Sequence, residues 1–224
     1  MKIIAIIPAR SGSKSIKDKN IHIYKKKPLI SHSIEIAKKS KYIDRVIVST
    51  DSKKYQKICK KLGAEVPFLR PKNFSKDSSV DLDWARHAIN YLRINEDYVP
   101  DLVIHLRPTT PNRNLKILNT GIKFFLKMFK KADSMRSVSL INQPPQKTFM
   151  LKNNFLKGYF DKILKGEYYN MPRQKYPFSY LPNGYVDILK PSFFMKKKSL
   201  TGGRILGYIT PETLDIDYKE DFKK

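Results

Sequence analysis

Short apolar stretches alternate along this chain with longer stretches in which apolar residues recur at helical spacing. A buried strand is a short apolar run, whereas a helix places an apolar residue every three or four positions. By these criteria the sequence predicts strands at 2–7, 45–49, 64–66, 101–106, 137–140, 184–189 and 205–209. It predicts helices at 28–39, 52–62, 80–92 and 114–129. This alternation is typical of an α/β fold, in which helices cover both faces of a mostly parallel sheet.

The alternation stops between residues 142 and 182, which are rich in Pro, Asn, Tyr and Lys and have no clear period. A connection of this length inside one domain is usually functional or in contact with another subunit. We therefore predict a single domain over residues 1–224 with an inserted excursion at 142–182. The excursion has too many aromatic residues for a free loop, which favours a homodimer. They include Phe149, Phe155, Tyr159, Phe160, Tyr168, Tyr169 and Tyr176.

The charge balance is strongly basic, with 45 Lys and Arg against 20 Asp and Glu, a formal net charge of +25. Such an excess suits polyanionic partners: nucleic acid, an anionic membrane or nucleoside triphosphates. The lysines are scattered, so most are interpreted as solvated surface residues. The single cysteine excludes an internal disulfide framework, and Cys59 is assigned to the core. No apolar run reaches the roughly 18 residues of a membrane span. We expect a soluble, cytoplasmic chain that neither inserts into membranes nor binds nucleic acid.

A basic loop, residues 8–20, follows the first predicted strand. Its Gly and Ser residues let backbone N–H groups converge on one anion, while Arg10, Lys14 and Lys19 supply positive charge. The loop has neither the GxxxxGK[ST] pattern nor the GxGxxG pattern of two familiar nucleotide-binding motifs. Ligands of open parallel sheets bind at the carboxyl ends of the strands, so this loop is a candidate phosphate site.

Asp215 and Asp217 are a candidate metal site near the end of the chain. In an extended segment, residues two apart point to the same side, so both carboxylates can share a hard cation. A solvated acidic turn is the alternative interpretation of the same residues.

Six sequence blocks in one order resemble the CMP-sialic acid synthetases (acylneuraminate cytidylyltransferases). The first is the basic loop with ARSGSK and then Lys19-Asn20. The others are Ser49-Thr50-Asp51, Leu69-Arg70-Pro71 followed by Asp77, Arg107-Pro108-Thr109-Thr110-Pro111 with Arg113, Pro172-Arg173-Gln174 with Pro182-Asn183-Gly184, and Asp215-Ile216-Asp217. The resemblance covers essentially the whole chain.

The resemblance implies a Rossmann-like nucleotidyltransferase fold and transfer of CMP from CTP to the anomeric hydroxyl of a nonulosonic sugar, for surface glycan synthesis. It implies Mg²⁺ at Asp215 and Asp217, and catalytic roles for Arg10, Lys19 and Asp217. It implies that CTP contacts Arg10, Ser11, Gly12, Ser13, Lys14, Lys19, Asn20, Arg70 and Asp77. The implied sugar site contains Arg107, Lys147, Arg173, Gln174, Asn183 and Gly184. It also implies a homodimer whose excursion reaches the active site of the partner subunit.

Three positions depart from the pattern of the resembled family, and all are expected near the sugar. Arg107 replaces a Gln, Leu181 stands where Arg is frequent, and Asp187 stands where an aromatic is frequent. The identity of the acidic sugar therefore stays open, with legionaminate-like sugars or a polyol phosphate as alternatives to a sialic acid. Arg70 and Arg113 have a surface salt-bridge role as their alternative. The four histidines, at 22, 32, 87 and 105, have no ligand spacing and are assigned structural or surface roles.

Overall fold

The computed structural model describes all 224 residues and builds the chain around a six-stranded sheet. The strands are β1 Ile3–Pro8, β2 Ile23–Tyr24, β3 Lys27–Pro28, β4 Arg45–Ser49, β5 Leu102–His105, β6 Ser134–Leu140, β7 Phe149–Lys152, β8 Phe155–Gly158, β9 Tyr180–Leu189 and β10 Ile205–Ile209. The helices are α1 Leu29–Lys39, α2 Lys53–Lys61, α3 Asp81–Glu96, α4 Leu115–Lys127 and α5 Pro191–Phe194. Short 3₁₀ turns connect several of these elements.

The central sheet has the strand order β10-β6-β9-β5-β1-β4. Strand β1 runs parallel to β4 and β5, and β10 runs parallel to β6. Strand β9 is antiparallel to both of its neighbours, β5 and β6. The predicted α/β fold with a mostly parallel sheet is therefore confirmed. The reversal of β9 brings its residues 184–187 beside the carboxyl end of β5.

Both faces of the sheet are covered, and β1 contributes to each. Ile3, Ala5 and Ile7 pack into a cluster with α1, α2 and α4, whereas Ile4 and Ile6 pack against α3. Successive side chains of a strand point to opposite faces, so a strand buried on both sides must be apolar throughout. Cys59 is fully buried in the first cluster, as predicted, and burial raises the pKa of its thiol to about 12.

Helix ends follow local sequence signals. The Ser52 hydroxyl accepts a hydrogen bond from the Tyr55 N–H at 3.3 Å, and Asn114 accepts from the N–H groups of Lys116 and Ile117. Each contact satisfies a backbone donor that the first helical turn leaves without a partner. Gly63 follows α2 with φ of +81°, a conformation that glycine adopts without a steric penalty.

The excursion differs most from its prediction, because it has regular structure at both ends. A hairpin pairs β7 with β8 through Asn153 and Asn154, whose positive φ angles suit a tight turn. Strand β9 begins at Tyr180, so residues 180–182 belong to the central sheet.

Elsewhere, the predicted strand at 64–66 is wrong, since it is reduced to one bridge between Ile47 and Glu65. No helix in the structure is long and apolar enough to cross a membrane.

Arg113 ties the segments beside the carboxyl ends of β5 and β9 together. Its guanidinium donates to the carbonyl oxygens of Tyr185 at 2.5 Å, Arg107 at 2.9 Å and Gly184 at 3.0 Å. It also donates to the Thr110 carbonyl and, at 2.9 Å, to the Ser33 hydroxyl on α1. Burial lowers the pKa of Arg113 to about 9, which leaves the group charged at pH 7. The surface salt-bridge alternative for Arg113 is therefore wrong.

We predict that Arg113→Ala destabilises the fold. The change removes the charged donor from the carbonyl oxygens of Arg107, Thr110, Gly184 and Tyr185. The expected loss in the free energy of unfolding is about 3 kcal/mol, as for a lost charged hydrogen-bonding group and its orphaned acceptors. Urea unfolding followed by circular dichroism measures it. Arg93→Gln is the control, since Arg93 is exposed on α3 and contacts only Asn90 at 3.4 Å. Equal unfolding midpoints for the two variants would contradict the tie.

Candidate functional site

The main cavity opens at the carboxyl ends of β1 and β5 and has a volume of about 540 Å³. The basic loop forms one wall, residues 70–81 form another, and residues 105–109 form the floor. This is the edge at which open α/β sheets bind ligands. Eight of the residues predicted from the sequence line it: Arg10, Ser13, Lys14, Lys19, Asn20, Arg70, Asp77 and Arg107.

The basic loop is held from behind by two side chains. Asp51, which follows β4, accepts from the Ser11 N–H at 2.8 Å and from the Ser11 hydroxyl at 3.0 Å. The Asn20 amide, itself buried, donates to the Arg10 carbonyl at 3.0 Å. Ser11 is thus turned toward Asp51, and neither Ser11 nor Gly12 lines the cavity. A direct contact of these two residues with CTP stays a prediction.

Two cations of the loop share one carboxylate. Asp77 lies 2.5 Å from Arg10 Nη1 and 2.7 Å from Lys14 Nζ. The hydrogen bond from Lys14, and then the one from Arg10, lowers the pKa of Asp77. All three side chains are partly or largely exposed, so a stronger anion can exchange with the carboxylate at little cost. The arrangement therefore fits an anion with several negative charges, such as a polyphosphate.

Arg70 is buried in the wall of the same cavity and makes no salt bridge. Arg70 is 5% exposed, and its Nε is buried without a hydrogen-bond partner. Burial lowers the pKa of its guanidinium. The surface alternative for Arg70 is wrong, because the residue is inside the protein. An unpaired buried donor beside a cavity indicates that a ligand or water supplies the acceptor.

The two carboxylates near the end of the chain flank a residue that is bonded to the cavity floor. Ile216, between them, is fully buried and donates its N–H to the Thr109 carbonyl at 2.8 Å. Asp217 pairs with Lys19 at 2.9 Å, and both aspartates are exposed. Asp221 accepts from the N–H groups of Asp217 and Tyr218 at 3.1 and 2.9 Å, which orients this segment.

Asp215 and Asp217 fit Mg²⁺ as an incomplete protein site. No cluster of three or more His, Cys, Asp or Glu side chains that could hold a metal occurs in the structure. Mg²⁺ is commonly bound by one or two carboxylates together with substrate phosphates, and Asp217 meets this pattern because its partner Lys19 lines the cationic cavity. The magnesium assignment itself stays a prediction.

The residues predicted for the sugar site are divided between two places. Arg173 and Gln174 line a second cavity of about 440 Å³ within the excursion, beside Tyr176 and Phe178. Lys147 lines neither cavity. A single chain therefore brings only Arg107 of this side-chain set to the main cavity.

Asn183 and Gly184 lie within β9 and support the cavity floor. The Asn183 amide donates to the Thr210 hydroxyl at 2.7 Å, which ties β9 to the end of β10. Gly184 has φ of +68°, and a Cβ there would lie 3.2 Å from Arg107 Cδ and 3.0 Å from Thr110 Oγ1. Asn183 and Gly184 therefore belong to a continuous strand and do not form a hairpin turn. Glycine is required where β9 passes close behind Arg107.

The floor also contains a charged network that sequence reasoning missed. Arg107 Nη2 lies 3.2 Å from Asp81 and 3.6 Å from Asp187, and Asp187 lies 3.5 Å from Arg136. His105 is 1% exposed, 3.6 Å from Asp187, and neither ring nitrogen has a hydrogen-bond partner. Burial would raise the pKa of Asp187, but His105, Arg136 and Arg107 lower it below its usual value. His105 is buried, so its surface alternative is wrong, whereas its structural role stays a prediction. Its position at the carboxyl end of β5, two residues before Arg107, follows from the fold and not from ligand spacing.

Comparisons with known proteins assign the chain to a family. A sequence model of the family described as cytidylyltransferase matches residues 4–177. An N-acylneuraminate cytidylyltransferase of Escherichia coli O18:K1:H7 is 34% identical over 99% of this chain and 51% of its own length. The chain thus spans about half the length of that relative. A pseudaminic acid cytidylyltransferase of Campylobacter jejuni is 35% identical over 72% of this chain and 68% of its own.

Solved structures support the same fold. A CMP:2-keto-3-deoxy-manno-octonic acid synthetase complexed with CTP superposes with a TM-score of 0.72, covering 100% of this chain and 96% of that one at 14% identity. A match at this identity supports the fold alone, whereas the sequence matches extend through the basic loop and the segment around Arg70. The chain belongs to the cytidylyltransferase family, the family of the CMP-sialic acid synthetases.

Proposed function

We propose that this chain transfers CMP from CTP to the anomeric hydroxyl of a nonulosonic, sialic-acid-like sugar and releases pyrophosphate. One observation carries the proposal: Arg10, Lys14 and Lys19 converge on one cavity, and Lys19 pairs there with Asp217, one of the two terminal carboxylates. Family membership and the names of the relatives support cytidine as the nucleoside and an acidic sugar as the acceptor. The CMP-sugar produced would supply surface glycan synthesis.

The positive residues of the basic loop would hold the triphosphate and neutralise the departing pyrophosphate. Asp77 pairs with Arg10 and Lys14, and Asp217 pairs with Lys19. A triphosphate carries more negative charge than either carboxylate and would exchange with Asp77 as their partner. Such reactions are accelerated mainly by positioning and by charge neutralisation. Arg70, with its unpaired Nε, would donate to the cytidine portion or to the α-phosphate.

The sugar hydroxyl would attack the α-phosphorus in line with the leaving pyrophosphate. The new bond joins the anomeric oxygen to phosphorus, the bond to the β-phosphate oxygen breaks, and the hydroxyl proton is lost to water. Mg²⁺, when bound by Asp215 and Asp217, would supply positive charge to the triphosphate oxygens. Lys19, held beside Asp217, would place a cation next to the same oxygens.

A second copy of the chain would complete the sugar site. Arg173 lies in the excursion and outside the main cavity of its own chain, so we assign it to the cavity of a partner subunit, where its fork matches the sugar carboxylate. Support comes from the hairpin β7–β8, where Leu151, Phe155 and Leu156 are 65–79% exposed. Apolar side chains clustered in this way commonly form subunit contacts.

We predict that CTP is the preferred nucleotide. A pyrophosphate-release assay with CTP, UTP, ATP and GTP against a panel of nonulosonic acids measures both preferences in one experiment. We expect release with CTP and at least one nonulosonic acid, and little with the other nucleotides. Equal turnover with UTP would contradict the nucleotide assignment, and release only with a polyol phosphate would contradict the sugar.

We predict that Asp217→Asn lowers turnover at ordinary Mg²⁺ about a hundredfold, because a carboxamide lacks the charge that a metal ligand supplies. Mn²⁺ binding in the presence of CTP, followed by electron paramagnetic resonance, should weaken in the same variant. Glu212→Gln is the matched control, since Glu212 is an exposed acid of the same segment. Normal Mn²⁺ binding by Asp217→Asn would show that the pair of carboxylates is structural.

We predict that two impaired variants complement each other, at a sugar concentration that limits Arg173→Ala, if Arg173 acts on the partner subunit. Arg173→Ala should weaken the apparent affinity for the sugar roughly tenfold to a hundredfold, which corresponds to a lost charged pair. The affinity for CTP should not change. Lys19→Ala should lose turnover. Chains carrying each change, unfolded together and refolded, should regain activity, because some mixed dimers contain one intact site. No recovery from mixtures that light scattering proves to be dimeric would refute the assignment of Arg173.

A further inference from the structure

The charged network on the floor of the main cavity lies to one side of the phosphate-binding loop. In the sheet order, β1 is followed by β5, β9 and β6. The basic loop leaves β1, whereas Arg107 follows β5, Asp187 lies on β9 and Arg136 lies on β6. Neighbouring strands are about 4.8 Å apart, so Asp187 lies about 10 Å from the strand that carries the loop. If the triphosphate of the nucleotide occupies the basic loop, the second substrate lies nearer to the charged network.

Arg107 is the member of this network that faces the cavity with unused donors. Its side chain is 33% exposed, whereas that of Asp187 is 7% exposed. Nη2 makes the contacts with both carboxylates, Asp81 at 3.2 Å and Asp187 at 3.6 Å. A guanidinium has five N–H donors, so Nε and Nη1 remain for a ligand. The position of Arg107 is fixed by its own carbonyl, which accepts from Ser33 and Arg113, and by the close passage of Gly184.

The arginine and aspartate charges of the network balance, which limits the kind of group it can bind. Two guanidinium groups, Arg107 and Arg136, face two carboxylates, Asp81 and Asp187. An additional ionised group would meet attraction from the cations and repulsion from the anions at similar distances. A neutral acceptor oxygen needs no charge partner and satisfies the free donors directly. The buried, unpaired ring nitrogens of His105 beside Asp187 are a second sign that this floor is completed by a polar ligand.

We propose that Arg107 and Asp187 act as one unit that selects the sugar, with Arg107 donating to a neutral acceptor oxygen of the sugar and Asp187 holding Arg107 in place. The acceptor is an amide carbonyl of an N-acyl group or a ring hydroxyl. This proposal rests on the proposed function and adds a specificity determinant to it. Arg107 binds the sugar, and Asp187 is a positioning residue that the sugar does not touch.

The test compares Arg107→Gln, Asp187→Asn and the double variant, using pyrophosphate release. Wild-type turnover comes first: no release from CTP with any nonulosonic acid would refute the proposed function, whereas the arms below test the network alone. The panel pairs each N-acylated nonulosonic acid with its counterpart that carries a hydroxyl at the same carbon. Arg204→Gln is the matched control, because Arg204 forms an Arg–Asp pair with Asp133 at 2.8 Å. Neither residue lines the main cavity or the second cavity.

We expect Arg107→Gln to raise the sugar KM about tenfold, with kcat and the CTP KM unchanged, because one charged donor pair is lost. Asp187→Asn should give a similar rise, and the double variant should be no worse than either single change, because the two residues act together. If the acceptor is the acyl carbonyl, the variants should also lose the wild-type preference between paired sugars. If it is a hydroxyl, the loss should be equal for both members of each pair.

Three results would overturn the proposal. An unchanged sugar KM in Arg107→Gln would remove Arg107 from the sugar site. A double variant whose loss is the product of the single losses would prove that the residues act independently. A rise in the CTP KM equal to the rise in the sugar KM would assign Arg107 to the nucleotide. Because Asp187 is buried, Arg107→Lys is measured as well; it keeps the charge, so it should keep the fold, measured by circular dichroism, and lose sugar selectivity.

Discussion

The guanidinium of Arg113 holds together the segments on which the cavity floor depends. It joins three segments: the turn after β5, the middle of β9, and α1. The acceptors are backbone carbonyls and one hydroxyl group. Arg107 and Gly184 both contribute acceptors, so the residue that faces the cavity and the glycine that passes behind it share one fixed frame. Without Arg113, the Arg107 carbonyl would keep the Ser33 hydroxyl as a donor, and the other carbonyls would lose the charged donor that Arg113 supplies. The enclosed Arg113 therefore determines where the exposed Arg107 points.

The cavity contains its own counter-ions, which explains how so many cations are tolerated in one place. Asp77 neutralises Arg10 and Lys14, Asp217 neutralises Lys19, and Asp81 with Asp187 neutralises Arg107 and Arg136. The carboxylates of the first three pairs are 41–60% exposed and can exchange at little cost, whereas Asp187 is 7% exposed and cannot leave. The site thus has replaceable carboxylates beside the proposed triphosphate position and one permanent carboxylate, Asp187, at the proposed sugar position.

Much of this arrangement was predictable from the sequence, and the exceptions have physical reasons. Apolar runs located four of the six central strands to within one residue, whereas the predicted strands for β6 and β9 begin three and four residues late. Periodicity carries no information about strand direction, so the reversal of β9 was not foreseen. The basic loop was recognisable because its composition is unusual. His105, Asp187 and Arg136 were not brought together, since they come from three separate strands and meet only through the strand order. Arg113 could not be told from a surface arginine, because its acceptors are backbone oxygens that any sequence supplies.

The central claim is that one cavity brings the cations of the basic loop and the terminal carboxylates onto a single nucleotide. A crystal structure of the protein with CTP and Mg²⁺ tests this most directly. The account predicts the triphosphate against Lys14 and Lys19, Asp77 separated from Arg10, and the metal between the phosphates and the carboxylates of Asp215 and Asp217. Nucleotide bound in the second cavity beside Arg173, or a metal held away from both aspartates, would contradict it.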